Sequence, residues 1–466
     1  MRMTSFTGGA FRVSGAHRAA RGVMTLAASL TLGACGMFDT DINNPNAVVE
    51  ENLADPAAAT PLVNGLGATV SRSMNQIAGT IGAVSDELTW AGSREAWNTL
   101  DNGDINDPVN EYTDGQYPYL SEARWLGDYA VTQLEALDKD SKLRSRVDLA
   151  RAYTYAGLAY LLIAENYEDF VVSSDRQANG DPVGEANMPT MFDKAISLFD
   201  KGVTLSTTLN NAEWRRNATG LRARAKFSKA VRAKFGTARA RPANGLVNDA
   251  GASADAAAAL ALMPAGYRMR FTASAQNNGG YFATGFEISQ RLEIRAGDEY
   301  INTNTARTRP LDGVAGIKLV DPVTGQPDAV LGRAIDECCR QTSSQFIPTT
   351  AISEVEMNLI LAEAALASGN NAEFTTRINA VRSSNGLAPY AGTPAAQTVL
   401  IHARRTNLYL QGRRLMDHYR FNTPDPRWLP VQTTFRKTCF FPISYNERLQ
   451  NPKAPQPAVN RSAACA

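Results

Sequence analysis

The sequence predicts a mainly α-helical protein: an α-α superhelix of stacked helical hairpins, interrupted by a long loop-rich insertion that carries short strands. Three observations predict it. Apolar residues recur at steps of three and four along Leu126, Ala130, Leu134 and Leu137 and again along Leu149, Tyr153, Ala156, Tyr160, Ile163 and Tyr167, the period of one helix face. Ser353 and Glu356 have the S-x-x-E spacing of a capping box ahead of Val355, Leu359, Ala362 and Leu366, and Gly369 follows as a left-handed terminator. Between 237 and 350 the texture changes to Gly, Asn, Asp, Thr and Pro, with short alternating runs at Phe286 to Ile294 and Ile317 to Val320.

The chain opens on an export signal. Arg2, Arg12, Arg18 and Arg21 have no acid between them, and Val23 to Leu32 is a short apolar stretch, the pattern of a secretory leader over residues 1–34. It closes on Leu32-Gly33-Ala34-Cys35, which resembles the lipobox of bacterial lipoproteins and implies cleavage before Cys35 and acylation of its thiol and amine with chains such as palmitate. Several acyl chains hold a protein at a membrane where one binds only transiently, since each buried methylene contributes about 0.8 kcal/mol. Residues 35–52, with Asp39, Asp41, Asn43, Asn44, Pro45 and Asn46, read as a polar tether. Loss of the leader removes four arginines and no acid, turning the net charge from +1 to −3. That balance is not the footprint of a nucleic-acid binder. Beyond the leader the longest apolar run, Ala256 to Leu262, is far short of the roughly 20 residues that cross a bilayer.

Residues 53–466 read as one domain in three stretches. In 53–236, helices are expected at the two stripes above, at Met191 to Leu205 and at Ala218 to Phe235, where Arg222, Arg224, Lys226 and Lys229 read as a solvated face. The second stripe is flanked by Leu158, Leu161 and Leu162, so that helix should lie between neighbours. Residues 237–350 are the loop-rich, ligand-side region. In 351–466, the helix closed by Gly369 is followed by another from about Ala372, with Phe374, Ile378 and Val381 on its face, stopping at Asn385-Gly386. The pair is a tetratricopeptide-like hairpin, which cannot bury its own face and requires others stacked on it.

Of five cysteines, lipidation of Cys35 leaves Cys338, Cys339, Cys439 and Cys465. In an oxidising compartment these make two disulfides, with the neighbours Cys338 and Cys339 expected to reach Cys439 and Cys465 rather than each other. No C-x-x-C spacing accompanies them, so no metal site is expected.

Several of these features occur together in the SusD/RagB outer-membrane nutrient-binding lipoproteins, which the chain resembles. The matching pieces are the lipobox, Asp41-Ile42-Asn43-Asn44-Pro45-Asn46, Leu149 to Tyr155, Glu356 to Ala364 with Ile378 to Arg382, Arg404 to Asp417 with Gly412, Arg413 and Arg414, and Phe441-Pro442-Ile443 followed by Glu447 and Asn451-Pro452. They span almost the whole mature chain; 237–350 is covered least. Where the family has acids before the arginine at Arg404 and the glycine at Gly412, this chain has Ala403 and Gln411, which suggests a divergent branch. The resemblance implies a non-catalytic lipoprotein at the cell-surface face of the outer membrane. It would capture oligosaccharides or other nutrients and deliver them to a SusC-like TonB-dependent barrel.

The residues offer little catalytic chemistry. The histidines are His17 in the leader, His402 and His418, so a triad or a histidine-rich metal site is hard to assemble. No phosphate or dinucleotide fingerprint is present, and no cofactor is expected. Asp86-Glu87 and Glu354 with Glu356 are conceivable acids for a lipid-anchored glycoside hydrolase, and an envelope scaffold is a further alternative. Sugar binding asks for flat aromatic faces beside amides and carboxylates. Trp90 and Trp97 stand in a stretch with Asn98, Asp101, Asn102 and Asp104; Tyr112, Tyr117 and Tyr119 follow near Gly115 and Pro118, read as a loop; and Asn277 to Phe282 sets Asn278 and Tyr281 beside glycines. Trp90, Trp97, Asn278 and Tyr281 are the candidate ligand residues.

Overall fold

Asn110 opens a 29-residue helix by accepting hydrogen bonds from the N–H groups of Tyr112 and Thr113. Asn211, Asp249, Asp328, Ser353, Asn370 and Ser444 do the same for later helices, each satisfying a first-turn donor that the helix itself cannot. A computed structural model describes residues 55–455 except 106, 108, 175–177, 237–239, 273, 275–283, 303–315, 340–344 and 429–438. Met1–Asn52 and Leu53–Ala466 are separate units; Cys35, the leader and the tether lie outside the described residues.

In chain order the elements begin with α1 (Ala59–Val84), β1 (Leu88–Trp90), α2 (Glu95–Asp101), α3 (Glu111–Lys139), α4 (Arg146–Asn166), β2 (Val171–Val172), β3 (Asp181–Pro182), α5 (Pro189–Thr208) and α6 (Ala212–Lys234). Next come α7 (Ala250–Leu260), β4 (Arg268–Phe271), β5 (Ile294–Ala296), α8 (Ala329–Cys338) and β6 (Thr349–Ser353). The chain continues through α9 (Glu354–Ala367), α10 (Asn371–Ser384), α11 (Ala396–Asn407), α12 (Arg414–Phe421) and α13 (Tyr445–Gln450).

The body is mainly helical, and short connections fold α3 onto α4, α5 onto α6 and α9 onto α10. The expected stripes fall in α3, α4, α5 and α6. Ser353 accepts from the N–H of Glu356 as the capping box requires, and α9 and α10 end before Gly369 (φ +75°) and Gly386 (φ +68°). α4 is buried on nearly every side between α1, α3, α5 and α6. Close approach there depends on glycine: a Cβ on Gly157 would stand 2.6 Å from the Phe199 ring, and one on Gly127 would stand 3.0 Å from Ala156. A main core runs through α1 to α6, and a smaller one joins Leu359, Phe374, Ile378, Val399 and Leu400 of α9 to α11. Three antiparallel pairs, β1 with β5, β2 with β3 and β4 with β6, complete the fold, the last with a bulge between Met269 and Arg270.

Four expectations are corrected. Tyr112, Tyr117 and Tyr119 belong to α3, whose buried Tyr112, Gln116, Tyr117 and Leu120 outweigh Gly115 and the mid-helix Pro118. Phe286 to Ile294 is not a strand run: a helical turn at Thr284–Phe286 passes into a π-turn over Glu287–Arg291, closed by Leu292 at φ +58°. The basic residues of α6 are not a free solvated face. Arg224, almost wholly buried, pairs with Glu165 and donates to the Ala351 carbonyl at 2.9 Å, while Arg222 and Lys226 both reach Asp255 at 2.6 and 2.7 Å. Finally, Cys338 and Cys339 are bonded to each other. Both sit inside the core at the end of α8, whereas the segment of Cys439, itself disulfide-bonded, is held at the end of α4 by the Tyr167–Phe441 bridge; Cys465 lies outside the described residues.

Candidate functional site

β1 and α2 bring Trp90 and Trp97 to one locus. The Glu293 carboxylate accepts from the backbone N–H groups of Ser93 and Arg94, both at 2.8 Å, and fixes the turn between them. Trp97 is 1% exposed. It stacks on Tyr112 with ring centroids 3.7 Å apart and donates its indole N–H to Glu287 Oε2 at 3.2 Å. An aromatic with both its faces and its polar edge satisfied inside the protein is a core residue, so Trp97 offers no platform to a ligand. Trp90 is half-buried on β1, opposite Ile294 of β5, and its Nε1 has no hydrogen-bond partner among the described residues. Asn278 and Tyr281 lie outside the described residues. The described chain resumes at Thr284, whose N–H and hydroxyl bond to Asn75 on α1 at 2.8 and 2.6 Å.

An open cleft lies elsewhere among the described residues. It encloses about 650 Å³, within the usual range for small-ligand sites, between α3, the β2–β3 hairpin and α13. From α3 come Tyr117, Glu122 and Trp125, from the hairpin Ser173 and Asn179, and from α13 Asn446, Glu447 and Gln450. Trp125 and Tyr129, one turn apart, stack at 5.3 Å with an interplanar angle of 16°, and the Trp125 indole N–H donates to the Ser174 carbonyl at 3.1 Å. The ring is thereby held in place while remaining partly exposed.

The cleft walls are tied together. The Val171 N–H donates to Tyr117 Oη at 2.9 Å, and Arg124 reaches the Ser173 carbonyl and Asp128, the latter at 3.0 Å. Asn451 Nδ2 donates to the Gly180 carbonyl at 3.0 Å and to Glu447 at 2.9 Å. Burial pushes the Tyr117 hydroxyl well above its ordinary range, so it stays neutral. A fixed aromatic face beside exposed amide and carboxylate groups suits a polar, ring-shaped ligand with apolar C–H faces. Sequence reasoning missed this site. The available signal was the Trp125–Tyr129 spacing, an aromatic pair one residue out of step with the Leu126–Ala130 stripe.

The acids weighed for hydrolysis are structural. Asp86 and Glu87 are 3% and 1% exposed. Burial disfavours the Asp86 charge, but Arg414, His418 and Arg405 outweigh it and hold the group well below the usual carboxylate range. Burial lifts Glu87 to about 8, opposed mainly by the hydrogen bond from the Leu410 N–H. Glu356 is paired with Arg413 at 3.0 Å, and Glu354 accepts from the Gly266 N–H at 2.8 Å. The buried histidine His418 bonds to the Thr423 carbonyl and lies 3.2 Å from Asp86, while the neighbouring Asp417 pairs with Arg404 and Arg420. Among the described residues, no group of three His, Cys, Asp or Glu side chains is arranged to hold a metal ion.

No protein-family model matches the sequence, and no curated protein does. Solved structures do. A SusD homologue from Bacteroides thetaiotaomicron superposes with a TM-score of 0.60 at 12% identity, over 88% of this chain and 99% of its own. The chain has the SusD-like fold. A SusD-like carbohydrate-binding protein from Bacteroides vulgatus gives a TM-score of 0.50 at 13% identity, over 79% of this chain and 84% of its own. A laminarin-binding SusD-like protein gives 0.50 at 12%, over 87% and 98%. Within the SusD-like fold, the run from Arg404 to Asp417 is an internal ionic framework. Despite Ala403 and Gln411, Arg404 and Arg405 find Asp417 and Asp86 at 2.8 and 2.9 Å.

Proposed function

We propose that this protein is a non-catalytic capture lipoprotein, anchored through acylated Cys35 at the cell-surface face of the outer membrane. It takes up an oligosaccharide in the Trp125 cleft and delivers it to a SusC-like TonB-dependent barrel. The observation that carries the reading is the cleft itself: a fixed indole face from α3 beside amides from two other segments, on a fold shared with proteins described as carbohydrate-binding. Capture and release need no nucleophile, and the acids Asp86 and Glu87 are engaged inside the core.

Calorimetric titration of the mature chain with a panel of neutral oligosaccharides tests the binding. Trp125→Ala is expected to weaken the best ligand about tenfold, which is the loss of about 1.4 kcal/mol, with no sugar product formed by either protein. Unchanged affinity would remove the cleft from the reading, and release of shorter sugars would favour a hydrolase. The anchor has its own check. Cys35→Ala should move the chain out of the outer-membrane fraction, and retention there would rule out anchoring through this thiol.

A further inference from the structure

We propose that a second pocket, between β4, α8 and the turn after α11, is a subsite for a single negatively charged sugar unit. Its ligand would be a pyranose bearing a carboxylate or a sulfate ester. The inference rests on the glycan-capture reading but concerns a different place in the molecule. The pocket holds about 220 Å³, below the roughly 300–1,000 Å³ of sites that enclose drug-sized ligands, so it admits one ring and not a chain.

Three arginines line it. Arg268 and Arg270 lie on the exposed side of β4, and Arg333 comes from α8. Glu337, one turn after Arg333, pairs with Arg270, and Arg333 donates to Asn385 at 3.1 Å. No acid pairs with Arg268 among the described residues, so the lining keeps an excess of positive charge. A guanidinium fork matches the two coplanar oxygens of a carboxylate or two oxygens of a sulfate. Two lining residues also carry buried polar atoms without a partner among the described residues, Thr349 Oγ1 and Gln411 Oε1. An unmet buried polar atom costs about 1–3 kcal/mol, and sugar hydroxyls both donate and accept, which suits this pair. Cys338 of the vicinal disulfide forms part of the wall.

The test is calorimetric titration of the mature chain with an oligouronate, a sulfated oligosaccharide and their neutral counterparts, at low and moderate salt, repeated on Arg268→Gln and Trp125→Ala. Arg268 is exposed, so its replacement leaves the fold intact. The expected result is at least tenfold tighter binding of one acidic sugar than of its neutral counterpart, weakening with salt, with the preference lost in Arg268→Gln and kept in Trp125→Ala. Whether the uronate or the sulfate shows it identifies the anion. Equal binding of acidic and neutral sugars, or a preference that survives Arg268→Gln, overturns the proposal. The two readings fail separately. Neutral binding lost in Trp125→Ala with no acidic preference sinks only the subsite; an Arg268-dependent acidic preference without neutral binding sinks only the Trp125 cleft.

Discussion

Asp86→Ala is expected to destabilise the protein by about 3–5 kcal/mol, the usual consequence of removing one partner from a buried ion pair. Asp86 receives Arg414 through two hydrogen bonds of 2.7 Å, Arg405 at 2.9 Å and the Tyr300 hydroxyl at 2.8 Å. Arg405 lies over the Tyr300 ring, 4.3 Å from its centroid. Truncation leaves the buried Arg414 and the partly buried Arg405 guanidinium groups facing each other, with the charge that offset their desolvation gone. The segments joined at this carboxylate are the end of α1, the end of α11 and the start of α12, so the loss falls on the join between the first helix and the C-terminal part. Denaturant titration checks it. A variant within about 1 kcal/mol of the parent would mean that water or rearranged side chains satisfy the arginines.

Trp97→Ala is expected to cost about 3–5 kcal/mol, the range for large aromatic truncations in cores. The variant removes the stacking partner of Tyr112 and the donor to Glu287, loosening the contact between α2, α3 and the π-turn. Burial already lifts the Glu287 carboxyl above its ordinary value, and losing a donor would raise it further. Thermal unfolding and glycan titration on one sample separate the two roles open to this residue. A large drop in stability with parental affinity in the surviving folded fraction identifies a core residue. Parental stability with lost affinity would restore Trp97 as a ligand contact.

What the sequence disclosed and what it hid divide by the range of the interaction. Ser353 capping Glu356, the stops at Gly369 and Gly386, and the stripes of α3 and α4 depend on residues within a turn or two of each other, so spacing alone exposes them. The basic run in α6 was misread because its partners, Glu165 and Asp255, are remote in sequence. Gly115 and Pro118 carry turn propensity that tertiary burial of Tyr112 and Tyr117 overrides. The cleft was not legible because its walls come from α3, from a hairpin some 50 residues later and from α13 over 300 residues later. Each wall alone contributes ordinary surface groups. Trp97 looked like a loop aromatic among polar neighbours, and only the return of Glu287 to its indole nitrogen shows where it points.

The location of the ligand is the central claim, and hydrogen–deuterium exchange of the mature chain with and without a bound neutral oligosaccharide tests it most directly. Slowed exchange in the β2–β3 hairpin and across residues 444–451, with 88–101 unchanged, is the expected result. Protection confined to 88–101, with the hairpin and α13 exchanging as in the free protein, would place the ligand at Trp90 and contradict the assignment of the Trp125 cleft.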